Sequence, residues 1–145
     1  MTINQISVFI ENKPGKLAEF TDILSKNNID MRAMSIAETP DFGVLRIIVN
    51  DSYNAACVIR EAGYVFSITP VLAVAIPDEP GSLGQILNIM GKGEVNLEYL
   101  YAFTAPKKDW AYMVFRVQDN EKAIEVLSKN GVKLLDQAEL DRLFA

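Results

Sequence analysis

The sequence predicts an α+β protein built from two consecutive units, each running strand, helix, strand, strand, helix, strand. Three observations carry that expectation. The signature Pro14-Gly15-Lys16-Leu17 returns as Pro80-Gly81-Ser82-Leu83, an offset of 66 residues. Apolar positions return at the same offset: Ile6, Val8 and Ile10 as Leu72, Val74 and Ile76, and Phe20, Ile23 and Leu24 as Ile86, Ile89 and Met90. The offset then becomes 68, where Leu45, Ile47, Val49 and Asp51 match Met113, Phe115, Val117 and Asp119. One Pro-Gly coincidence means little, but a run of matched apolar positions with one loop-sized slip marks a duplication. The slip falls around Thr104-Ala105-Pro106-Lys107-Lys108-Asp109, where a hairpin connection tolerates two added residues.

Each element follows from local pattern. Residues 5–10 alternate between apolar and polar side chains, the period of a half-buried strand. Pro14 suits the first turn of a helix, because its fixed φ fits there and its missing N–H would have no partner. Leu17, Phe20 and Leu24 recur at helical spacing and predict one apolar face, with Ile23 beside it. Residues 31–37 and 44–49 read as strands around the turn-forming Thr39-Pro40-Asp41-Phe42-Gly43. Asp51 or Ser52 is expected to cap the second helix and Gly63 to end it, with Val65, Phe66 and Ile68 in a closing strand before Pro70. The second copy is expected to repeat this with helices at 82–91 and 120–129 and strands at 71–76, 96–103, 111–117 and 132–135. Residues 136–143 add a short terminal helix without a counterpart in the first copy.

The expected architecture is therefore two ferredoxin-like βαββαβ units in tandem, residues 1–69 and 70–145, each a four-stranded antiparallel sheet covered by two helices. Helices cover one face only, so the other face of each sheet needs water, its sister sheet or another chain. Tyr99, Tyr101 and Phe103 alternate along one strand, and an aromatic row on an uncovered face predicts a packed interface.

Composition narrows the function. The 145 residues carry a formal charge of −5, half are hydrophobic, and there is no histidine. Disorder is a poor reading, and the acidic balance argues against nucleic acid as a partner. Imidazole bases, histidine triads and imidazole metal sites are excluded, and no thiolate cluster exists because Cys57 is the only cysteine. Cys57, among Ala55, Ala56, Val58 and Ile59, reads as a small apolar helix residue. No basic leader or long apolar run opens the chain, so neither a secretion signal nor a membrane span is expected, and a cytoplasmic location is the default. The acidic residues are dispersed and no nucleophile, base and orienting group form a set, so no catalytic residue, cofactor or metal site is expected.

The junction after each first strand is where binding chemistry concentrates. Asn12 and Asp78 each precede a helix that starts near Pro-Gly, and their side chains could cap its free N–H groups. The same N–H groups could instead hold a carboxylate, favoured by the helix dipole. Gly15 and Gly81, lacking Cβ, would let such a group approach the backbone closely. Leu17 and Leu83 would anchor the helices to the core. Asp78, being anionic, suits a ligand ammonium better than Asn12 does. Gly91-Lys92-Gly93 follows a helix rather than opening one, so it is a helix exit and not a phosphate loop.

Taken together, Asn12-Lys13-Pro14-Gly15-Lys16-Leu17 with Asn28-Ile29-Asp30-Met31, and Asp78-Glu79-Pro80-Gly81-Ser82-Leu83 with Val95-Asn96-Leu97, resemble a tandem pair of ACT domains. These are small regulatory domains of amino-acid-metabolising enzymes. The resemblance spans nearly the whole chain, leaving the terminal helix outside. It implies a free amino acid held at the first strand-to-helix loop, at an interface between two ACT units. The contact set it implies is Asn12, Gly15, Lys16 and Leu17 with Asp78, Gly81, Ser82 and Leu83, reached by the amide of Asn96.

The function expected on these grounds is a non-catalytic, allosteric amino-acid-binding regulator, a homodimer that can also associate with a separate metabolic enzyme. The alternative is a structural or protein-interaction module that binds no metabolite.

Overall fold

A computed structural model describes residues 1–103 and 107–145. Thr104, Ala105 and Pro106, and with them part of the expected hairpin insertion, lie outside the described residues. The chain divides into two compact units, Asn4–Thr69 and a second made of Met1–Ile3 with Pro70–Ala145.

The first unit contains β1 (Ile3–Glu11) from Asn4 onward, α1 (Lys16–Lys26), β2 (Met31–Glu38), β3 (Phe42–Val49), α2 (Ser52–Glu61) and the start of β4 (Phe66–Pro77). β3 lies between β1 and β2, antiparallel to both, with Val8 and Ile36 each opposite Leu45. The chain entering β4 pairs on the other side of β1, where the Phe9 N–H donates to the Val65 carbonyl at 3.0 Å. Alternate residues of a strand share a face. Ile6, Val8 and Ile10 therefore join Leu45, Ile47 and Val49 beneath Phe20 and Leu24 of α1 and Ala55 and Ile59 of α2.

The second unit repeats the order with the rest of β4, α3 (Ser82–Lys92), β5 (Leu97–Phe103), β6 (Trp110–Val117), α4 (Asn120–Lys129) and β7 (Lys133–Leu135), followed by α5 (Gln137–Leu143). β4 lies between β6 and β7, with Val74 opposite both Met113 and Leu134, and β5 pairs with the far side of β6. Leu72, Val74, Ile76, Met113 and Phe115 face Ile86 and Met90 of α3 and Leu127 of α4.

Three sequence expectations need correction. The closing strand of the first copy and the opening strand of the second are one element, β4, which runs through Pro70. The units do not have two separate four-stranded sheets, and the described residues form seven strands rather than eight. The ladder to β6 begins at Leu72, so Pro70 lies outside it and no bond of that ladder needs its missing N–H. Second, α1 begins at Lys16 rather than at Pro14, because Gly15 is left-handed and Pro14 belongs to the turn before it. Third, Leu17 is 40 % exposed and stands outside the core, whereas Leu83 packs against it.

The aromatic row of β5 lies on the face away from α3 and α4. A register shift between Leu97 and Tyr99 lets Leu97 and Leu100 reach the helix-covered core while Tyr101 and Phe103 point the other way. Phe103 is covered from within its own unit: its ring lies 5.4 Å from Tyr112 and 6.2 Å from Phe144, just beyond α5.

Candidate functional site

The four long helices begin in two different ways. α2 and α4 are closed by aspartates: Asp51 accepts from the Asn54 N–H at 3.0 Å and Asp119 from the Lys122 N–H at 3.1 Å. α1 and α3 have no side-chain cap at all. Their N-cap residues are Gly15, at φ 82° and ψ −12°, and Gly81, at φ 92° and ψ −14°. That left-handed conformation costs other residues about 1–2 kcal/mol, which accounts for glycine at both places.

The turns leading in are built alike. The Lys13 N–H donates to the Glu11 carbonyl at 2.9 Å and the Glu79 N–H to the Pro77 carbonyl at 3.0 Å. The Lys16 and Ser82 N–H groups reach back to the Lys13 and Glu79 carbonyls, each at 3.3 Å. Each loop is also tied to the neighbouring hairpin, Asn12 N–H to the Asp41 carbonyl at 3.1 Å and Asp78 N–H to the Asp109 carbonyl at 3.0 Å. The backbone is thus held while the next amides, of Leu17 and Ala18 and of Leu83 and Gly84, have no protein acceptor among the described residues. A Cβ placed on Gly15 or Gly81 would meet nothing within 4 Å, so the space above both turns is open.

Neither expected cap is made. The Asn12 side chain donates to the Thr39 carbonyl at 3.0 Å instead. Asp78 and Glu79 are exposed and have no ion-pair partner among the described residues, so two carboxylates stand beside the open turn of α3. The α1 turn differs in charge: Lys13 pairs with Glu11 at 3.2 Å and Lys16 with Glu19 at 3.6 Å. Lys16, Glu19 and Tyr64 line a cleft of about 330 Å3 beside that turn. Burial, reinforced by the Glu19 carboxylate and opposed by the Lys16 charge, pushes the Tyr64 hydroxyl above its ordinary pKa. The two turns share a backbone and differ in their electrostatics.

The structure brings Asn12, Gly15, Lys16 and Leu17 together at one turn, and Asp78, Gly81, Ser82 and Leu83 at the other. Ser82 is buried at the base of its helix. Asn96 does not join them within its unit. It precedes β5, where its carbonyl accepts from the Gln118 N–H at 3.1 Å, and it lines a cleft with Asp119 and Lys122. The 11 residues of α3 separate that end of the unit from Gly81, about 16 Å of helix. Nearness to the motif in sequence is no guide here, because a helix carries the chain to the far end of the sheet. Among the described residues no cluster of metal-ligating side chains forms, and no helix is long and apolar enough to cross a membrane.

Both halves of the chain run βαββαβ, and both place a left-handed glycine turn before their first helix. The chain belongs to the ACT domain pair family, whose profile matches residues 1–144. It is similar over 99% of its length, and 98% of the other chain, to the crystal structure of protein BT0572 from Bacteroides thetaiotaomicron, with 38% identity and a TM-score of 0.91. The fold also matches the regulatory subunit of aspartate kinase from Thermus thermophilus, at 15% identity and TM-score 0.64, covering 87% of this chain and 90% of that one. Aspartate kinase from Synechocystis matches at 17% identity and TM-score 0.59, over 92% of this chain and 26% of that longer one. Comparison with curated proteins gave no match.

Proposed function

We propose that this chain is a non-catalytic regulator or sensor that holds a free amino acid at its strand-to-helix turns, at an interface between ACT units. The observation that carries the reading is the contrast among helices of one chain: α2 and α4 are capped by their own aspartates, whereas α1 and α3 keep open amides over a glycine turn. A ligand carboxylate accepts from those amides and gains from the positive end of the helix dipole. At the α3 turn the carboxylate of Asp78 takes the ammonium group, a charge-assisted pairing that the neutral Asn12 does not offer. The α3 turn is therefore the tighter site for a zwitterion.

Family membership and the fold shared with an aspartate kinase regulatory subunit support regulation rather than catalysis. In this reading residues 1–69 and 70–145 are the two ACT units, the working form is a cytoplasmic homodimer, and the regulated partner is a separate metabolic enzyme. Binding becomes allosteric when it favours one of two arrangements of that assembly.

Calorimetric titration of the full chain with a panel of free amino acids tests the proposal. Saturable binding that is lost in Asp78→Ala and in Gly81→Val is the expected result. No binding across the panel by a folded protein overturns it in favour of a structural interaction module.

A further inference from the structure

α5, the element without a counterpart in the first unit, lies over the sheet face turned away from α3 and α4. The strand register places Lys133, Ala75 and Tyr112 in one row on that face, with Leu135 and Trp110 each two residues along on the same side. Glu139, Arg142 and Leu143 are spaced three and four apart on α5 and so share the helix face that meets them. Between helix and sheet lies a cleft of about 490 Å3, within the range of about 300–1,000 Å3 usual for small-molecule sites. All its lining residues belong to the unit Pro70–Ala145.

The cleft has an apolar floor and a cationic rim. Ala75, Tyr112 and Leu135 are buried beneath it, and the small Ala75 gives it depth between larger neighbours. Trp110 remains 39 % exposed at the mouth. Three cations converge there, Lys107, Lys133 and Arg142, on a chain whose net charge is −5. Glu139 neutralises one of them: it holds Lys133 at 2.6 Å through one oxygen and accepts the Asp136 N–H at 3.0 Å through the other. Arg142 makes no ion pair within 4 Å among the described residues, although its charge also acts on the Glu139 carboxylate. Lys107 lies 5.7 Å from the centre of the Trp110 ring, which holds it at the mouth without cancelling its charge.

We propose that this cleft is a binding site for a small organic anion with a flat apolar body. The body lies on Trp110 and Tyr112 over Ala75 and Leu135, and the carboxylate meets the Arg142 guanidinium and the Lys107 ammonium. A guanidinium presents two parallel donors to a carboxylate, and a desolvated aromatic floor beneath it discriminates against small polar anions. The site is distinct from the glycine turns, and its failure leaves the reading of those turns untouched.

Trp110 is the only tryptophan in the chain, so its indole N–H gives one unmistakable signal in a proton–nitrogen correlation spectrum of the full protein. The probes are 4-phenylbutyrate and its uncharged analogue 4-phenylbutanol. The acid is expected to move the indole signal saturably below about 10 mM, and at least about tenfold more tightly than the alcohol. Arg142→Gln, an exposed substitution, weakens the acid about tenfold and leaves the alcohol unchanged. Ala75→Leu, which fills the floor, abolishes both shifts while the rest of the spectrum stays folded. An indole signal that does not respond, equal affinities for acid and alcohol, or no effect of Arg142→Gln overturns the proposal. So does an indole signal that moves on dilution without any probe, since the cleft would then be covered by a second copy of the chain.

Discussion

Gly93→Ala puts the packing of α3 on α4 to a direct test. Gly93 is the C-cap of α3 at φ −82°, a conformation open to any residue, so the substitution carries no backbone penalty. The penalty is steric. A Cβ at position 93 would lie 2.6 Å from Cγ1, 2.8 Å from Cγ2 and 3.3 Å from Cβ of Val126. Carbon atoms rest about 3.5–4.0 Å apart, so something must give by close to 1 Å. Val126 cannot rotate out of the way, because a β-branched residue within a helix has one strongly preferred χ1 rotamer and both of its methyls are in the contact. The added methyl therefore displaces α3 against α4, at about 1–3 kcal/mol. Loss of glycine freedom in the unfolded chain returns about 0.4–1 kcal/mol. A net destabilisation of about 1–2 kcal/mol follows, read as a lower urea midpoint at unchanged slope. Gly91→Ala, where a Cβ meets nothing within 4 Å, serves as the opposite control and is expected to stabilise by up to about 1 kcal/mol. In a Val126→Ala background the Gly93→Ala penalty disappears, a coupling that a double-mutant cycle measures. Equal stability of Gly93→Ala and the parent, with Val126 intact, refutes the close approach of the two helices.

Two further outcomes follow from the helix ends and from α5. Asp119→Ala removes a cap and is expected to cost about 1 kcal/mol in chemical denaturation, whereas Asp78→Ala, at a helix its side chain does not cap, stays within about 0.5 kcal/mol of the parent. The hydrogen bonds from Lys133 and from the Asp136 N–H hold the Glu139 carboxyl below the usual carboxylate range. Its folded pKa is thus lower than its unfolded one, so its contribution is complete above the unfolded value and is lost as pH falls through the folded value. Unfolding curves of Glu139→Gln and the parent are expected to differ at pH 7 and to converge in acid.

Much of the architecture was legible because the information was local or repeated. The duplication stood out because Pro14-Gly15 and Pro80-Gly81 each sit between the same apolar rows. Asp51 announced its helix because capping needs only one short polar side chain at the helix start. Where the reading failed, the deciding fact was not local. Pro70 punctuates the sequence, yet β4 continues through it, and the ladder to β6 starts only beyond it, at Leu72. Leu17 keeps helical spacing with Phe20 and Leu24, but periodicity does not reveal that it stays 40 % exposed while its counterpart Leu83 packs against the core. The glycine turns were visible, whereas their left-handed dihedrals, which move the start of α1 past Pro14, depend on how the chain leaves β1. Asn96 was grouped with Gly81 through the motif, and within its own unit the length of α3 carries it to the other end. The α5 cleft had no sequence signal beyond the alternation of Trp110 and Tyr112, because its walls come from β4, β6, β7 and α5.

Duplicated modules are ordinarily joined by a tether whose length can drift between relatives. In this chain the seam lies inside a strand, where side chains alternate: Leu72, Val74 and Ile76 serve the helix-covered core, and Ala73 and Ala75 the reverse face. A single residue inserted at Thr69 or Pro70 would have to bulge outward or exchange those two sets, sending alanines into the core and large aliphatic groups under α5. A change of residue count inside β4 is therefore read out as a change of face.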